Sequence, residues 1–344
     1  MKVFIFGAGA SHGSQEYATP GEWKIPVSNS LFDDIYINRG EAVGVYKDTL
    51  IETREKSIEL GGVEKYLTHR WQEIQNYSRA RQRAENNYFG QITWYIWYLL
   101  KSLSTHYNRQ NSYRKLIRKL YDKDEQFGII SFNYDTFLDR AISEQYAITF
   151  NNLGAYLNNS SDIKYIKPHG SINWYLPPRS TDSQIGTEAS FDMLARYRLS
   201  SSQYFNGDPF LLKSIKILDP LHNDMDFGNE GNISNGHFNR SHFYPLIFAP
   251  LLVKRYKIIE DFEALLNQQS ALLLTNADEI NIIGYKAQDE LIHEMFKSVN
   301  PDTIVNIFSP TSPMTTMESL KRRRPDLKYH RILNWDFQKY VEQY

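Results

Sequence analysis

Apolar residues recur along this chain in two rhythms, and the change of rhythm divides it. Short continuous runs at Val3–Phe6, Gln126–Phe132, Glu279–Tyr285 and Thr303–Pro310 predict buried strands. Tyr244–Pro250 reads the same way, and Tyr165–Trp174 as a short strand running into a turn. Between about Asp48 and Leu120 the spacing shifts to three and four residues. It predicts helices over Glu64–Trp71, Tyr88–Leu103 and Tyr113–Tyr121. Trp94–Leu100 is apolar almost all round and is expected inside. Further helices are predicted from Phe137, over Asp261–Leu274 and over Asp289–Lys297.

Strand, polar turn and helix follow one another repeatedly, so the expected class is α/β: a Rossmann-like parallel sheet with helices on both faces. The expected layout is a core from residues 1–40, 126–177 and 241–310. A helical insertion (41–125), a loop-rich insertion (178–240) and a C-terminal extension (311–344) complete it.

Candidate chemistry sits at the strand ends. Val3–Phe6 runs into Gly7-Ala8-Gly9-Ala10-Ser11-His12-Gly13. Glycines at 7 and 9 let a ligand approach the backbone, and the helix start offers N–H groups to an anion such as a pyrophosphate. The spacing is not the dinucleotide fingerprint, because His12 stands where its third glycine belongs. Ser14–Pro26 is irregular and reads as a lid, with Ser28 as the N-cap of the next helix. Asn133 and Asp135 follow the second strand at its C-terminal edge, where open α/β sheets bind ligands. Pro168 and Gly170 hold His169 on a rigid corner that is expected to be exposed, and Gly170 admits a ligand.

Composition changes this picture little. Charges nearly cancel, with 39 basic against 40 acidic residues, so neither nucleic acid nor membrane is indicated as a partner. The Arg79, Arg81 and Arg83 series and the basic run Lys321–Arg324 read as solvated faces. Cysteine is absent, which excludes disulfides and thiolate zinc sites and fits a cytoplasmic location. His237 and His242 are the nearest approach to a metal pair, but no carboxylate pattern accompanies them, so no metal is expected. No apolar run approaches the length needed to span a bilayer.

Taken together, GAGAS at 7–11, SFNYDT at 131–136, KPHGSINW at 167–174 and IIGY…D at 282–289 resemble Sir2-like (sirtuin-type) NAD+-consuming domains. They look most like the NAD+ hydrolases of bacterial anti-phage defence. The likeness covers the Rossmann-type core, about half of the chain, and leaves both insertions out. It implies NAD+ as substrate, with Gly7, Ala8, Gly9 and Ser11 along the pyrophosphate and the nicotinamide-side ribose. It further implies that Asn133 orients the ribose and the attacking water, that Asp135 holds the nicotinamide carboxamide, and that His169 is the general base. Gly170 and Ser171 complete that turn. Gly284, Tyr285 and Lys286 would face the adenosine half, with Ser309 where sirtuins place an asparagine.

Deacylating sirtuins carry a zinc held by four cysteines, and this chain has none, so water is the favoured acceptor and ADP-ribose the product, alone or with its cyclised form. Three alternatives remain open: an NAD+ or ADP-ribose sensor without turnover, a deacylase or ADP-ribosyltransferase, and a dehydrogenase. The first fits poorly with the presence of both Asn133 and His169, the second with the missing cysteines, the third with the glycine spacing. The resemblance also implies gating by homo-oligomerisation or by a partner of the HerA-type ATPase or Argonaute kind, with the aromatic-rich helical insertion as the interface.

Overall fold

Val3, Phe4, Ile5 and Phe6 are wholly buried, and the strand they form, Lys2–Phe6 (β1), lies in the middle of a sheet. The computed structural model describes residues 1–14, 24–38, 43–74, 76–104, 111–157, 163–176, 216–217, 244–247 and 260–344. β1 pairs in parallel with Phe127–Ser131 (β2) on one side and Glu279–Ile283 (β7) on the other. Ile163–Ile166 (β3) continues beyond β2. Ile304–Phe308 (β8) and Lys328–Leu333 (β9) continue beyond β7. The order β3-β2-β1-β7-β8-β9 is all parallel and reverses direction between β1 and β7, the doubly wound arrangement expected. Strands covered on both faces read as unbroken apolar runs, which is why β1, β2, β7 and β8 were visible in the sequence.

β9 is the exception. Lys328, His330 and Arg331 are exposed along it, the charged dress of an edge strand. It comes from the segment 311–344 that the sequence set apart as an extension, and it belongs to the main sheet. The same segment supplies the helix Phe337–Gln343, capped by Asp336, whose Phe337 ring packs on Phe6 at 5.5 Å and on Tyr113 at 4.7 Å.

A second, antiparallel sheet joins Lys216–Ile217 (β5), Gly170–Leu176 (β4) and Tyr244–Ile247 (β6) in the order β5-β4-β6. Two expectations change here. The Tyr165–Trp174 stretch is two strands with a turn between them, and β6 pairs with β4 instead of joining the parallel sheet.

Helices cover both sheets. Ala8–Ser14 (α1) follows β1. Asp34–Ile37 (α2), Val43–Leu60 (α3), Val63–Ile74 (α4), Arg79–Ser104 (α5) and Ser112–Asp122 (α6) make the helical region. Phe137–Tyr146 (α7) and Leu153–Leu157 (α8) stand between β2 and β3. The Trp94–Leu100 stretch does lie inside, and Trp97 Nε1 donates to the Ile172 carbonyl at 2.9 Å, tying α5 to β4. Ser28 does not cap a helix: it opens a 3₁₀ turn, Ser28–Ser30, whose preceding residue is Val27 and which has no side-chain cap. The lid residues 15–23, the pair His237/His242 and most of 178–240 lie outside the described residues, as do the side chains of Arg79 and Arg83.

Candidate active site

The turns after β1 and β7 touch at the point where strand order reverses. Gly284 has φ +60°, and a Cβ there would come within 2.2 Å of Ala10 N. A Cβ on Gly7 would lie 2.6 Å from Tyr285 Cβ, and one on Gly9 would lie 2.9 Å from the Gly284 oxygen. The three glycines are therefore required by one another, whatever ligand lies above them. Their amides are largely spent as well: Gly7 N–H donates to Ile283, Gly9 N–H to Gly284 and Ala10 N–H to Gly7. The sequence reading, which left these donors for an anion, is corrected to that extent. Ala8 and Gly9 stay half-buried and form the open surface of the turn.

Asn133 is the most constrained side chain of the group. The two protons on its Nδ2 are shared among three acceptors, the Gly7 carbonyl at 2.9 Å, Ser11 Oγ at 2.9 Å and Tyr113 OH at 3.1 Å. A carbonyl can only accept, so Gly7 fixes which end of the amide is nitrogen. Asn133 Oδ1 is buried and has no hydrogen-bond partner among the described residues. A buried acceptor without a donor costs about 1–3 kcal/mol, and an incoming O–H or N–H would recover it.

Ser11, fully buried, lies 3.0 Å from Tyr113 OH and hydrogen-bonds the Asp135 carboxylate. Asp135 also accepts from the Phe137 N–H at 3.1 Å, which fixes the turn into α7. Burial pushes its carboxyl above the usual range; the charge of Lys167, the Ser11 hydroxyl and the Phe137 N–H pull the other way. Burial, with Asp135 nearby, holds the Tyr113 phenol well above its ordinary value and therefore neutral.

Tyr113 was not picked out in the sequence. It rides on α6, which docks on α1 through Asn111 Nδ2 to Ser14 Oγ at 3.1 Å, and Asn111 also caps the helix by accepting from Tyr113 N–H. The visible signal was that Asn-Ser cap, which announces a helix start and nothing of its aim.

His169 is the second correction. Expected on an exposed corner, it is only 5 % exposed. Its ring meets Phe132 edge-on at 4.7 Å and lies near Tyr134 at 6.1 Å, while Tyr285 stacks on Phe132 at 4.4 Å. Gly170, at φ +77°, would place a Cβ 2.1 Å from the Leu246 oxygen. It is glycine because β6 presses on it, which also corrects its assignment to ligand access. His169 Nε2 lies 3.8 Å from Asp289 Oδ2, too long for a hydrogen bond. Asp289 caps the helix Glu290–Phe296 by accepting from Ile292 N–H at 3.0 Å and accepts from the Tyr285 hydroxyl. Tyr285 thus stands with Phe132 and Asp289, beside His169. Lys286 is exposed, and Ser309 is buried at the end of β8 with its N–H on the Leu333 carbonyl.

Backbone and side-chain hydrogen bonds hold the Asn133 and His169 turns together. Ile172 N–H donates to the Tyr134 carbonyl at 2.9 Å. Lys167, which opens the 167–174 motif, donates from Nζ to the Asp135 carbonyl at 2.7 Å and to Ser171 Oγ at 2.6 Å. Among the described residues no cluster of three or more His, Asp or Glu could hold a metal, and no helix is long and apolar enough to cross a membrane.

No protein-family model matches the chain, and no curated protein matches it. Among solved structures it is similar to Sir2 in complex with the inhibitor EX-527, 2'-O-acetyl-ADP-ribose and a deacetylated p53 peptide. That match has 14 % identity, 100 % of this chain and 91 % of that one covered, and a TM-score of 0.38. A Sir2–p53 peptide–NAD+ structure matches at 14 % identity, 100 % and 91 % coverage and a TM-score of 0.37. Sir2Tm bound to a propionylated peptide matches at 13 %, 100 % and 91 %, with a TM-score of 0.36. Scores this low leave the chemistry to be read from the site's own residues.

Proposed function

We propose that this chain is an NAD+ hydrolase that cleaves the nicotinamide–ribose bond. Its role in this reading is that of an NAD+-depleting effector of bacterial anti-phage defence, gated by self-assembly or a protein partner. One observation carries the chemistry: Asn133 is locked by three acceptors, and its Oδ1 is left for a donor that none of the described residues supplies. The four strand-end motifs of the Sir2-like resemblance supply the substrate class.

The reaction suits such residues. The bond from ribose C1′ to the nicotinamide nitrogen breaks, and the pair of electrons leaves with a ring that departs neutral, so no strong acid is needed. Water adds to C1′ and loses a proton, which His169 takes and passes to solvent. Asn133 Oδ1 would accept from the water or a ribose hydroxyl and fix its line of attack. Asp135, held by Ser11 and the Phe137 amide, would receive the carboxamide N–H of nicotinamide. Ala8 and Gly9 would floor the pyrophosphate. Exposed Ile35, Ile58 and Leu60 support the helical region as the gating surface.

The test is chromatography of NAD+ incubated with wild type, Asn133→Ala and His169→Ala. Nicotinamide and ADP-ribose in equal amounts from wild type alone are expected. Turnover surviving in either folded variant would remove that residue's role, and transfer to an acyl-lysine peptide in place of water would make the enzyme a deacylase.

A further inference from the structure

Lys167 and Asp139 form an ion pair with no side-chain exposure on either partner, Nζ to Oδ2 at 3.0 Å. Every polar atom of the pair is engaged. The three Nζ protons go to Asp139, the Asp135 carbonyl and Ser171 Oγ. Asp139 takes Tyr156 OH at 2.6 Å on Oδ1 and Tyr165 OH at 3.0 Å on Oδ2. Ser171 Oγ in turn donates to the Tyr134 carbonyl at 3.2 Å. A wholly buried pair is costly to desolvate, and apolar residues of the same volume often give a fold as stable or more so. Here the pair occupies the space between the two turns that carry the candidate chemistry. Asp135 and Tyr134 belong to the turn of Asn133, and Lys167 and Ser171 bracket His169 two residues to either side.

We infer that Lys167 and Asp139 are positioning residues: their buried contacts set the separation and tilt of the Asn133 and His169 turns. This deepens the NAD+-cleaving reading and rests on it for its kinetic consequence. Lys167 reaches neither the open face of the turn nor the unpartnered Asn133 Oδ1, so it acts through the backbone of Asp135 and the hydroxyl of Ser171. A flexible cation fully tied at its head is a rigid spacer. Asp139 holds that head from α7, with two tyrosines from α8 and β3 locking the carboxylate.

The test compares wild type with Lys167→Gln/Asp139→Asn, a neutral pair that keeps hydrogen-bonding groups in place, and with Ser171→Ala, which removes one of the three Lys167 contacts. Each is read twice: by kcat and KM for NAD+, and by the ring resonances of His169 in protein carrying labelled histidine, assigned by their loss in His169→Gln. The double variant should lose about 100-fold in kcat with KM little changed, the effect of an ångström-scale misplacement. Ser171→Ala should lose about tenfold. In both, the His169 resonances should move while those of the other histidines stay. A lower melting temperature with kcat and the His169 resonances unchanged would overturn the inference and make the pair structural only. Should the double variant not fold, Ser171→Ala decides by the same two readings. A wild type that releases no nicotinamide sinks the NAD+ reading alone, and the His169 resonances still decide whether the pair positions that turn.

Discussion

The two halves of the candidate site are held by opposite means. Asn133 is fixed by directional bonds from three different elements, the turn after β1, α1 and α6. His169 packs edge-on against the Phe132 ring and beside Tyr134, with the Asp289 carboxylate 3.8 Å from its Nε2. Hydrogen bonds fix an amide plane, whereas ring packing sets an imidazole's position. The contrast fits the roles proposed. A group that orients water must be set before substrate arrives, and a group that takes and passes on a proton must be able to exchange partners.

The largest expected effects come from deleting either group. Asn133→Ala and His169→Ala should each lower kcat by about 10² to 10⁴-fold, the usual worth of a positioned acid–base or orienting residue. The comparison is sharpened by Tyr113→Phe, which removes one hydroxyl from the Asn133 side and keeps the ring packed on Phe6 and Phe337. With Gly7 and Ser11 still in place, kcat should fall about tenfold, roughly 1.4 kcal/mol of lost orientation. Steady-state rates with NAD+ check both. A Tyr113→Phe variant as inactive as Asn133→Ala would show that α6 alone sets the amide.

Much of this site was legible in the sequence because it lies at strand ends, and buried parallel strands announce themselves as apolar runs. Gly7, Asn133, Asp135, His169 and Gly284 could all be placed on one edge in that way. What was hidden depends on the third dimension. Tyr113 is one aromatic among many on an amphipathic helix, and only docking of α6 on α1 turns its hydroxyl onto Asn133. Lys167 and Asp139 are 28 residues apart, and nothing local distinguishes a buried pair from two solvated charges. β9 could be placed no more closely than within the C-terminal extension, because an edge strand dressed with Lys328, His330 and Arg331 carries no apolar run. The glycines were assigned to ligand access, yet Gly7, Gly9 and Gly170 each face another backbone segment, a contact that sequence spacing cannot show.

On the His169 side the matching probe is Asp289→Asn. Asparagine keeps the cap on Ile292 N–H through its one oxygen and removes the charge, while its NH2 replaces the oxygen that accepts from the Tyr285 hydroxyl, so that hydroxyl must turn to accept. Loss of the charge beside the imidazole should lower kcat about threefold with KM little changed. Steady-state rates with NAD+ measure it. An unchanged kcat would show that Asp289 acts only on Tyr285 and the helix start.

The smallest effect expected is one of stability, and it separates the polar half from an ordinary salt-bridged cluster. Burial raises the Asp135 carboxyl above its ordinary 3.8, with Lys167, Ser11 and the Phe137 amide only partly offsetting it. The native state therefore binds this proton more tightly than the unfolded chain. The stability so gained is fully present below the ordinary value and is lost as pH rises through the raised one. Asp135→Asn cannot ionise and still offers Oδ1 to the Phe137 N–H. It should melt about 2 °C above wild type at neutral pH, where the buried charge is present, on the order of 1 kcal/mol. That advantage should shrink toward acid as the wild-type carboxyl takes up its proton. Calorimetric melting of both proteins from about pH 4 to about pH 8 measures the difference. A gap that runs the other way, with the variant less stable at neutral pH and equal in acid, would mean that Lys167 and Ser11 outweigh burial. The Asn133 turn would then be held by its charge as well as by its hydrogen bonds.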